Sequence, residues 1–313
     1  MKNIYKNTNE NLNKAKRILQ KNNIIAVPTE TVYGLAGNAY SDISIKKVYK
    51  LKKRPKKNPL IIHYYNLKLL KNDAYLNKDF FKLYKKFSPG PITYILKKKT
   101  DSKISTFANS NLSTIAVRFP KHKVIRELLR SLKFPLAIPS ANISSAISPV
   151  NSHDVLDEFS DKIKFILNGG PSKIGIESTV INLHGKIRLL RPGLIDRNQI
   201  SKILHRKINF VKNVRKIRSP GQLGKHYSPG IPIQLNTKKS DDKAAFIVFG
   251  KKYKNIKNSF NLSESGNLNE AAKNLYKTFR KIKNLGYKKI NIVKIPNIKI
   301  GIAINDRLKK AAK

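Results

Sequence analysis

Helix-like and strand-like stretches alternate through about the first 200 residues, and this alternation limits the fold more than any other feature of the chain. Apolar residues at helical spacing predict helices over 11–20, 41–53, 78–87, 123–132 and 153–163. Short apolar runs predict strands over 24–28, 60–64, 92–96, 115–119, 136–139 and 165–167. The runs 179–183 and 187–190 flank a His-Gly-Lys turn, which is the pattern of a hairpin. An α/β domain with a twisted, mixed open sheet is therefore predicted.

A basic segment separates this region from a second, smaller one. Between Arg206 and Lys225 the periodicity fades, and seven Lys or Arg occur without an acidic residue, which indicates a linker. Beyond it, strands at 245–249 and 290–295 and helices at 268–285 and from about 304 predict a small α/β, Rossmann-like unit. The predicted division is a larger α/β domain at 1–205, a linker at 206–231 and a C-terminal domain at 232–313.

The net charge of +47, from 65 Lys and Arg against 18 Asp and Glu, has two interpretations. The 52 lysines far outnumber the 13 arginines, and Ile and Asn are also abundant, which is typical of a genome-wide composition bias. A surface that grips nucleic acid would often favour arginine for its bidentate contacts. The alternative is a field that attracts polyanions such as nucleotides, with weak tRNA or RNA binding.

Several kinds of site are excluded by what the chain lacks. Without cysteine it has no disulfide scaffold, thiol nucleophile or thiolate-bound metal. The phosphate-binding loop, dinucleotide turn, nucleophile elbow and zinc-protease motifs are missing, and the six histidines do not fall at metal-ligand spacing. No N-terminal signal and no membrane-length apolar run occur. We expect a cytoplasmic protein with no membrane contact, no intrinsic metal and no tightly bound organic cofactor.

Polar residues stand just after several apolar strands, where α/β sheets commonly bind ligands. They occur in PTETVYG at 28–34, KKRP at 52–55, NPLIIH at 58–63, VR at 117–118, SAN at 140–142 and EST at 177–179. Each string has an ordinary explanation, since a basic triplet is commonly a solvated helix end and Ser-x-Asn a cap or turn. Only the whole set points to a function.

The set resembles the two-domain threonylcarbamoyl-AMP synthases (L-threonylcarbamoyladenylate synthases) of the YrdC type. The strings that carry the resemblance are PTETVYGL (28–35), KKRPKKNPLIIH (52–63), FSPGPITYIL (87–96), IAVRFP (115–120), PLAIPSANIS (135–144), NGGPSKIGIESTVIN (168–182), LLRPG (189–193), HYSPG (226–230) and GIAINDRLKKAA (301–312). They follow the family's order and span nearly the whole chain. The resemblance implies a YrdC-like nucleotidyltransferase that makes threonylcarbamoyl-AMP and pyrophosphate from L-threonine, bicarbonate and ATP, for threonylcarbamoyladenosine beside the tRNA anticodon.

The resemblance also implies roles for individual residues. Phosphoryl transfer needs mainly positioning and charge neutralisation, so cations, hydroxyls and amides suffice. The catalytic residues it implies are Lys52, Arg54, Ser140 and Asn142. The ATP contacts it implies are Arg54, Asn58, Thr114, Ser140, Ser148, Arg191 and Tyr227. The L-threonine contacts it implies are Thr31, His63, Arg118, Ile138 and Ser178, with Arg118 suited to the carboxylate. Mg²⁺ is expected to arrive with ATP, and a downstream tRNA-threonylcarbamoyl transferase is the implied partner.

The linker and three departures from the family pattern leave questions open. Tyr227 matches a linker tyrosine that reaches the nucleotide, so the linker is either a lid that excludes water or a passive tether. Lys53 and Ser145 stand where glycine is common, and Ser145 is expected to restrict backbone angles that glycine allows. Ser88 replaces a usual Trp and leaves less apolar bulk.

Two other functions compete with the synthase. One is an RNA-binding protein that uses the domain as a basic cradle, although the chain lacks the aromatic signature of an RRM and the loop of a KH module. The other is carbamoyl transfer to a different acceptor, as in larger carbamoyltransferases. Those proteins carry extra modules and cysteine-bearing motifs, which this chain does not have.

Overall fold

The computed structural model describes residues 3–211, 224, 226–239, 243–253 and 256–313 of the chain. Half of the predicted linker, 212–223 and 225, lies outside the described residues. The helices are α1 (Asn9–Gln20), α2 (Asp42–Lys52), α3 (Leu67–Asp73), α4 (Lys78–Phe87), α5 (Lys123–Ser131), α6 (Ser152–Phe159), α7 (Arg197–Leu204), α8 (Leu268–Asn284) and α9 (Gly301–Ala311). None of them, over these ranges, has the length and apolar character that crossing a membrane requires.

The strands form two sheets. They are β1 (Ile4–Lys6), β2 (Ile25–Val27), β3 (Gly34–Asn38), β4 (Ile61–His63), β5 (Ile92–Lys97), β6 (Thr114–Arg118), β7 (Leu136–Ala137), β8 (Ile166–Asn168), β9 (Thr179–Asn182), β10 (Arg188–Arg191), β11 (Asn209–Phe210), β12 (Ile233–Leu235), β13 (Ala245–Val248), β14 (Ser259–Asn261) and β15 (Ile290–Ile292). The larger sheet has 11 strands in the order β1-β8-β2-β3-β7-β4-β6-β5-β9-β10-β11, and the smaller has four, β12-β15-β13-β14.

The predicted mixed sheet and hairpin are confirmed. In the large sheet β4 and β6 run parallel, β5 and β6 run antiparallel, and β9 and β10 form the predicted antiparallel pair. All pairs of the small sheet are parallel. Some helix and strand bounds differ from the prediction: α9 begins at Gly301 rather than near residue 304, and the glycine-containing strand β3 was not predicted. Two glycines in five residues remove the β-branched and aromatic content by which strands are recognised.

Alternate residues of the central strands face opposite sides of the large sheet, as the twofold period of a strand requires. Ile62, Tyr94 and Val117 belong to the main core under the helices. Their neighbours Ile61 and Ala116 belong to a separate small cluster with Ile95, Val180 and Leu190 on the other face. This second face is where the candidate site lies.

The two sheets share a core across the domain boundary. Val32, Ile147 and Ile176 of the first domain pack in one cluster with residues of β13, β15, α8 and α9. The approach is tight at Gly175, because a Cβ there would lie 2.5 Å from the Cα of Lys273 in α8. The C-terminal domain is therefore packed directly against the loop that leads into β9.

Both departures from glycine fall where the backbone is left-handed. Lys53 ends α2 with φ of 48°, and Ser145 has φ of 72° in the loop after β7. A non-glycine residue with a left-handed backbone costs about 1–2 kcal/mol of conformational free energy. The restriction of backbone angles expected at Ser145 therefore applies at this position. Ser88 replaces apolar bulk with a hydrogen bond of 2.8 Å between its Oγ and the hydroxyl of Tyr94.

Candidate active site

A small cavity of about 40 Å³ lies on the second face of the large sheet, between the first domain and the end of the linker. It is much smaller than the roughly 300–1,000 Å³ of typical ligand pockets, so this conformation is closed. Its walls come from the loops after β2 and β7, the ends of β6 and β10, and the end of the linker. The lining residues are Thr31, Val32, Arg54, Ile61, Arg118, Ile138, Pro139, Ser140, Glu177, Arg191, His226 and Tyr227.

Thr31 is held in place by a hydroxyl turn after β2. The Thr29 hydroxyl donates to the carbonyl of Val32 at 2.6 Å and accepts from the backbone N–H groups of Thr31 and Val32, each at 3.2 Å. The hydroxyls of Thr29 and Thr31 lie 2.9 Å apart. A threonine turn of this kind fixes the backbone locally, so the Thr31 side chain is presented to the cavity in one orientation.

The predicted catalytic pairs meet where α2 ends. Arg54 lines the cavity, and its Nε and Nη2 donate to the carbonyls of Asn58 and Pro59, each at 2.9 Å. Lys52 is buried, and its Nζ donates to the carbonyls of Ser140 and Asn142. Burial lowers the pKa of Arg54 to about 10, which keeps the guanidinium charged at neutral pH. Lys52 thus holds the Ser-x-Asn loop while Arg54 and Ser140 face the cavity.

Arg118 at the end of β6 is oriented by a buried carboxylate. Its Nη2 donates to Oε1 of Glu30 at 2.8 Å, and the backbone N–H of Lys121 donates to Oε2 at 3.1 Å. Burial raises the pKa of Glu30, but the charge and hydrogen bond of Arg118, together with the backbone N–H groups of Glu30 and Lys121, lower it by more, so the carboxylate is charged. Nε of Arg118 has no hydrogen-bond partner among the described residues and remains able to bind a ligand anion.

Arg191 and Ser178 form a second polar group at the paired ends of β9 and β10. Arg191 donates from Nε to the Ser178 carbonyl at 2.9 Å and from Nη2 to the Ser178 hydroxyl at 3.1 Å. The Ser178 hydroxyl also lies 2.7 Å from the hydroxyl of Thr93 on β5. A third guanidinium, beside those of Arg54 and Arg118, is thereby fixed against the cavity, so the wall carries a concentrated positive charge.

The end of the linker closes the cavity. His226 and Tyr227 are both buried there, and their rings lie 4.0 Å apart. The backbone N–H of His226 donates to the carbonyl of Lys310 in α9 at 3.1 Å, and that of Ser228 donates to Ser145 at 2.9 Å. We call residues 226–228 the linker strap. It is bonded to both domains, and Tyr227 adopts a left-handed φ of 66°.

Glu177 is the carboxylate that lines the cavity, and three side chains converge on it. The hydroxyls of Ser148 and Tyr276 donate to Oε1 at 2.6 and 3.2 Å, and Nε of Arg307 donates to Oε2 at 3.0 Å. Burial raises the pKa of Glu177, whereas the nearby charges of Arg307 and Arg191 lower it. The resulting pKa is about 2. Glu177 is therefore an anion at neutral pH.

Several buried polar atoms around the cavity have no hydrogen-bond partner within the described part of the chain. They are both side-chain atoms of Asn58, Nε2 of His63, Nε of Arg118, Oδ1 of Asn142, Nδ1 of His226 and the hydroxyl of Tyr227. An unpaired buried polar group costs roughly 1–3 kcal/mol, so such groups rarely gather in one place. Their concentration here indicates a site that a polar ligand completes.

Burial of neutral His226 predicts acid sensitivity. Burial lowers its pKa from 6.5 to about 3, so below pH 6.5 the unfolded chain takes up a proton that the folded chain refuses. Stability therefore falls as pH drops through this range, by about 2 kcal/mol at pH 5. In urea titrations, His226→Gln should lose less free energy of unfolding between pH 7 and 5 than the parent. The exposed-residue control His184→Gln should behave like the parent; an equal loss in all three proteins contradicts the assignment.

The structure brings the predicted residues together to different degrees. Thr31, Arg54, Arg118, Ile138, Ser140, Arg191 and Tyr227 line the cavity. Lys52, Ser148 and Ser178 lie one hydrogen bond behind the wall, and Asn142 is bonded in turn to Lys52. His63 shares the face of Ile61 on β4, with Nδ1 3.1 Å from the Ile61 carbonyl. Asn58 is fully buried behind Arg54. Thr114 begins β6, about 13 Å along that strand from Arg118.

Four charged or imidazole side chains at the site were not predicted: Glu30, Glu177, His226 and Arg307. Glu30, Glu177 and His226 stand inside the strings that carry the family resemblance, beside residues that were predicted. Their position beside predicted residues in these strings was the available signal. Arg307 lies in the terminal string, and it reaches the site only through the packing of the second domain.

Comparisons with known proteins match both domains. The Sua5/YciO/YrdC family, described as "Telomere recombination", matches residues 17–193, and the domain described as "Threonylcarbamoyl-AMP synthase, C-terminal domain" matches residues 195–313. The threonylcarbamoyl-AMP synthase of Pyrococcus abyssi is 33% identical over 320 residues, covering 95% of this chain and 93% of the relative. That of Bacillus subtilis is 38% identical over 226 residues, covering 71% of this chain and 65% of the relative.

Solved structures agree with these matches. The crystal structure of P. abyssi Sua5 complexed with L-threonine superposes with a TM-score of 0.90 at 30% identity, covering 99% of this chain and 97% of that chain. The crystal structure of E. coli YciO gives a TM-score of 0.57 at 20% identity and covers 64% of this chain and 100% of that chain. The second likeness shows the shared fold of the first domain.

Proposed function

This chain belongs to the Sua5/YciO/YrdC family and is an enzyme of the threonylcarbamoyl-AMP synthase type, and on that premise we propose that it converts L-threonine, bicarbonate and ATP to threonylcarbamoyl-AMP and pyrophosphate. The observation that carries the proposal is the group of unpaired buried polar atoms around a closed cavity lined by three guanidinium groups. The product then serves threonylcarbamoyladenosine formation in tRNA, through a transferase that acts on the adenylate.

The threonine end of the site is the Arg118 side. Arg118 is held by Glu30 with Nε unpaired, which suits it to a substrate carboxylate. Thr31, His63 and Ser178 supply hydroxyl and imidazole groups nearby, and Ile138 supplies an apolar wall. The P. abyssi relative was crystallised as a complex with L-threonine, which supports threonine as the substrate here.

The ATP end is the side of Arg54, Ser140 and Arg191. These residues line the cavity together, and their two permanent charges match a triphosphate. Ser148 and Tyr227 extend this side, whereas Asn58, in the loop before β4, and Thr114, at the start of β6, are assigned to the other end of the nucleotide. ATP enters as its Mg²⁺ complex, so the metal is part of the substrate.

The chemistry asks the protein for orientation and charge. The threonine nitrogen bonds to the bicarbonate carbon and water leaves, giving a carbamate. A carbamate oxygen then bonds to the α-phosphorus, and the bond from that phosphorus to the pyrophosphate oxygen breaks. Arg54 and Arg191 stabilise the charge that develops on the phosphoryl oxygens, and Ser140 donates a hydrogen bond. Lys52 fixes the loop that carries Ser140, and its direct contact with phosphate stays a prediction.

The deciding experiment is a pyrophosphate-release assay with L-threonine, bicarbonate and MgATP. We expect release that requires both threonine and bicarbonate and that Ser140→Ala abolishes. Release without threonine would contradict the proposal. No release together with tight, salt-sensitive RNA binding would favour the RNA-binding alternative, in which the basic surface is the functional part.

We also propose that the linker strap is a lid over ATP. Its support is the buried position of Tyr227 on a wall of a cavity too small for ATP, which means that nucleotide entry requires the strap to move. Tyr227→Ala should lower kcat/KM for ATP about 10-fold or more and increase pyrophosphate release relative to recovered threonylcarbamoyl-AMP, because water reaches the adenylate. Tyr227→Phe keeps the ring and isolates the hydroxyl. Parental kinetics in Tyr227→Ala would leave the strap a passive tether.

A further inference from the structure

Arg307 of the C-terminal domain is the most deeply buried charged group at the site. It lies on α9 with no exposed surface. Besides its bond to Oε2 of Glu177, its Nη1 donates to the Pro192 carbonyl at 2.8 Å and its Nη2 to the Glu177 carbonyl at 3.3 Å. One side chain of the second domain therefore fixes both the carboxylate and the backbone of Glu177 in the first.

The same side chain forms the seat of the Tyr227 ring. Its guanidinium carbon lies 5.3 Å from the ring centroid, within the range of a cation–π contact. Tyr276 on α8 stacks on Tyr227 at 5.9 Å and 24°, and its hydroxyl donates to Glu177. We call Ser148, Glu177, Tyr276 and Arg307 the interdomain cluster. Half of its members come from each domain, and it backs the ATP side of the cavity.

The cluster also controls the charge that ATP meets. Glu177 lines a cavity assigned to a polyanion, and a bare carboxylate there would repel the triphosphate. Arg307 neutralises it from behind, while Ser148 and Tyr276 occupy its remaining acceptor positions. By contrast, the bonds that orient Arg118 and Thr31 run to Glu30 and Thr29 within the first domain.

We propose that Arg307 is a positioning residue, through which the C-terminal domain completes the ATP side of the active site by holding Glu177 and the Tyr227 ring. The inference rests on the proposed function, because the assignment of this side to ATP does. It gives the second domain a specific role, which is to set ATP affinity while threonine affinity is left to the first domain.

The test compares Arg307→Met with Arg280→Met. Arg280, on α8, is a matched control because it too reaches the first domain. It donates to the Ile147 carbonyl at 2.9 Å and pairs with Asp154 and Glu158, and among the described residues none of these partners lines the cavity. Arg307→Met should raise KM for ATP about 10- to 100-fold and KM for threonine less than about threefold. Equal rises for both substrates, or the same rise in Arg280→Met, would overturn the inference.

A second variant separates positioning from loss of folding. Arg307→Met leaves a buried, unpaired carboxylate, whereas Arg307→Met with Glu177→Gln does not. If the charge of Glu177 is what Arg307 compensates, the double variant should recover at least about 10-fold of the lost ATP affinity, measured by fluorescence of an N-methylanthraniloyl ATP analogue. A double variant as weak as the single one, with both folded by circular dichroism, counts against the inference.

A measurement without any nucleotide keeps this inference apart from the proposed function. In protein labelled with 3-fluorotyrosine, the Tyr227 resonance is assigned by its loss in Tyr227→Phe. It should shift in Arg307→Met and stay in place in Arg280→Met. An unmoved resonance in Arg307→Met overturns the positioning role, whatever the enzyme's activity. Absence of pyrophosphate release by the parent protein contradicts the proposed function alone.

Discussion

Replacing Arg54 by methionine should lower kcat/KM for ATP by about 10²- to 10³-fold. Arg54 has two nitrogens fixed by the carbonyls of Asn58 and Pro59 while its guanidinium lines the cavity, so its charge is oriented before the substrate arrives. A preorganised charge in a site closed to water stabilises a developing anion far more than a mobile surface charge. Steady-state pyrophosphate release at varied ATP measures the loss.

The control for Arg54 is Lys57→Met. Lys57 is an exposed cation three residues along the same loop, and its removal changes the net charge equally. We expect it to change kcat/KM for ATP by less than about twofold at physiological ionic strength, where exposed charges are screened. If both variants lose activity to the same extent, the general positive field supports catalysis and Arg54 has no special role.

Replacing Arg118 by lysine should lower kcat/KM for L-threonine by about 10²-fold, with KM for ATP nearly unchanged. Lysine keeps the charge but lacks the planar fork that pairs with Glu30 and a substrate carboxylate at once. Threonine titrations at saturating ATP measure the change. A loss confined to KM for ATP would contradict the assignment of Arg118 to threonine.

Two further variants make the Arg118 result interpretable. Arg118→Met alone leaves Glu30 buried without its cation, which destabilises the fold by about 3–5 kcal/mol. Arg118→Met with Glu30→Gln removes that penalty and should fold, yet still fail to bind threonine. Arg130→Met, at an exposed position on α5, should retain parental threonine kinetics. Restored threonine binding in the double variant would show that Arg118 acts only on stability.

The sequence predicted the site best where one short string contains both the backbone signal and the functional side chain. Arg54 directly follows the end of α2, and Ser140 follows the short strand β7, so their motifs place them correctly. The expectation for Ser145 was confirmed in the same way, because a glycine position implies a left-handed backbone. Local chemistry determines these features, so they can be predicted from the linear sequence.

The remaining features depend on contacts that no local pattern contains. Glu177 and Arg307 are 130 residues apart, and Glu30 and Arg118 are 88 apart, so only the packed fold shows that they are partners. The cavity lies on one face of the large sheet and also at the ends of several strands. This position is a consequence of packing. Short α3 and α7 offer too few turns for a periodic signal.

The anchoring of the linker strap bears on how this protein can vary between species. The strap is positioned by backbone bonds to Lys310 in one domain and Ser145 in the other. Loop-closure entropy changes only slowly with length, so residues added or lost between β11 and the strap alter the free energy little. Evolution is therefore free to lengthen, shorten or recharge that connection, while His226, Tyr227 and their two anchor points remain constrained.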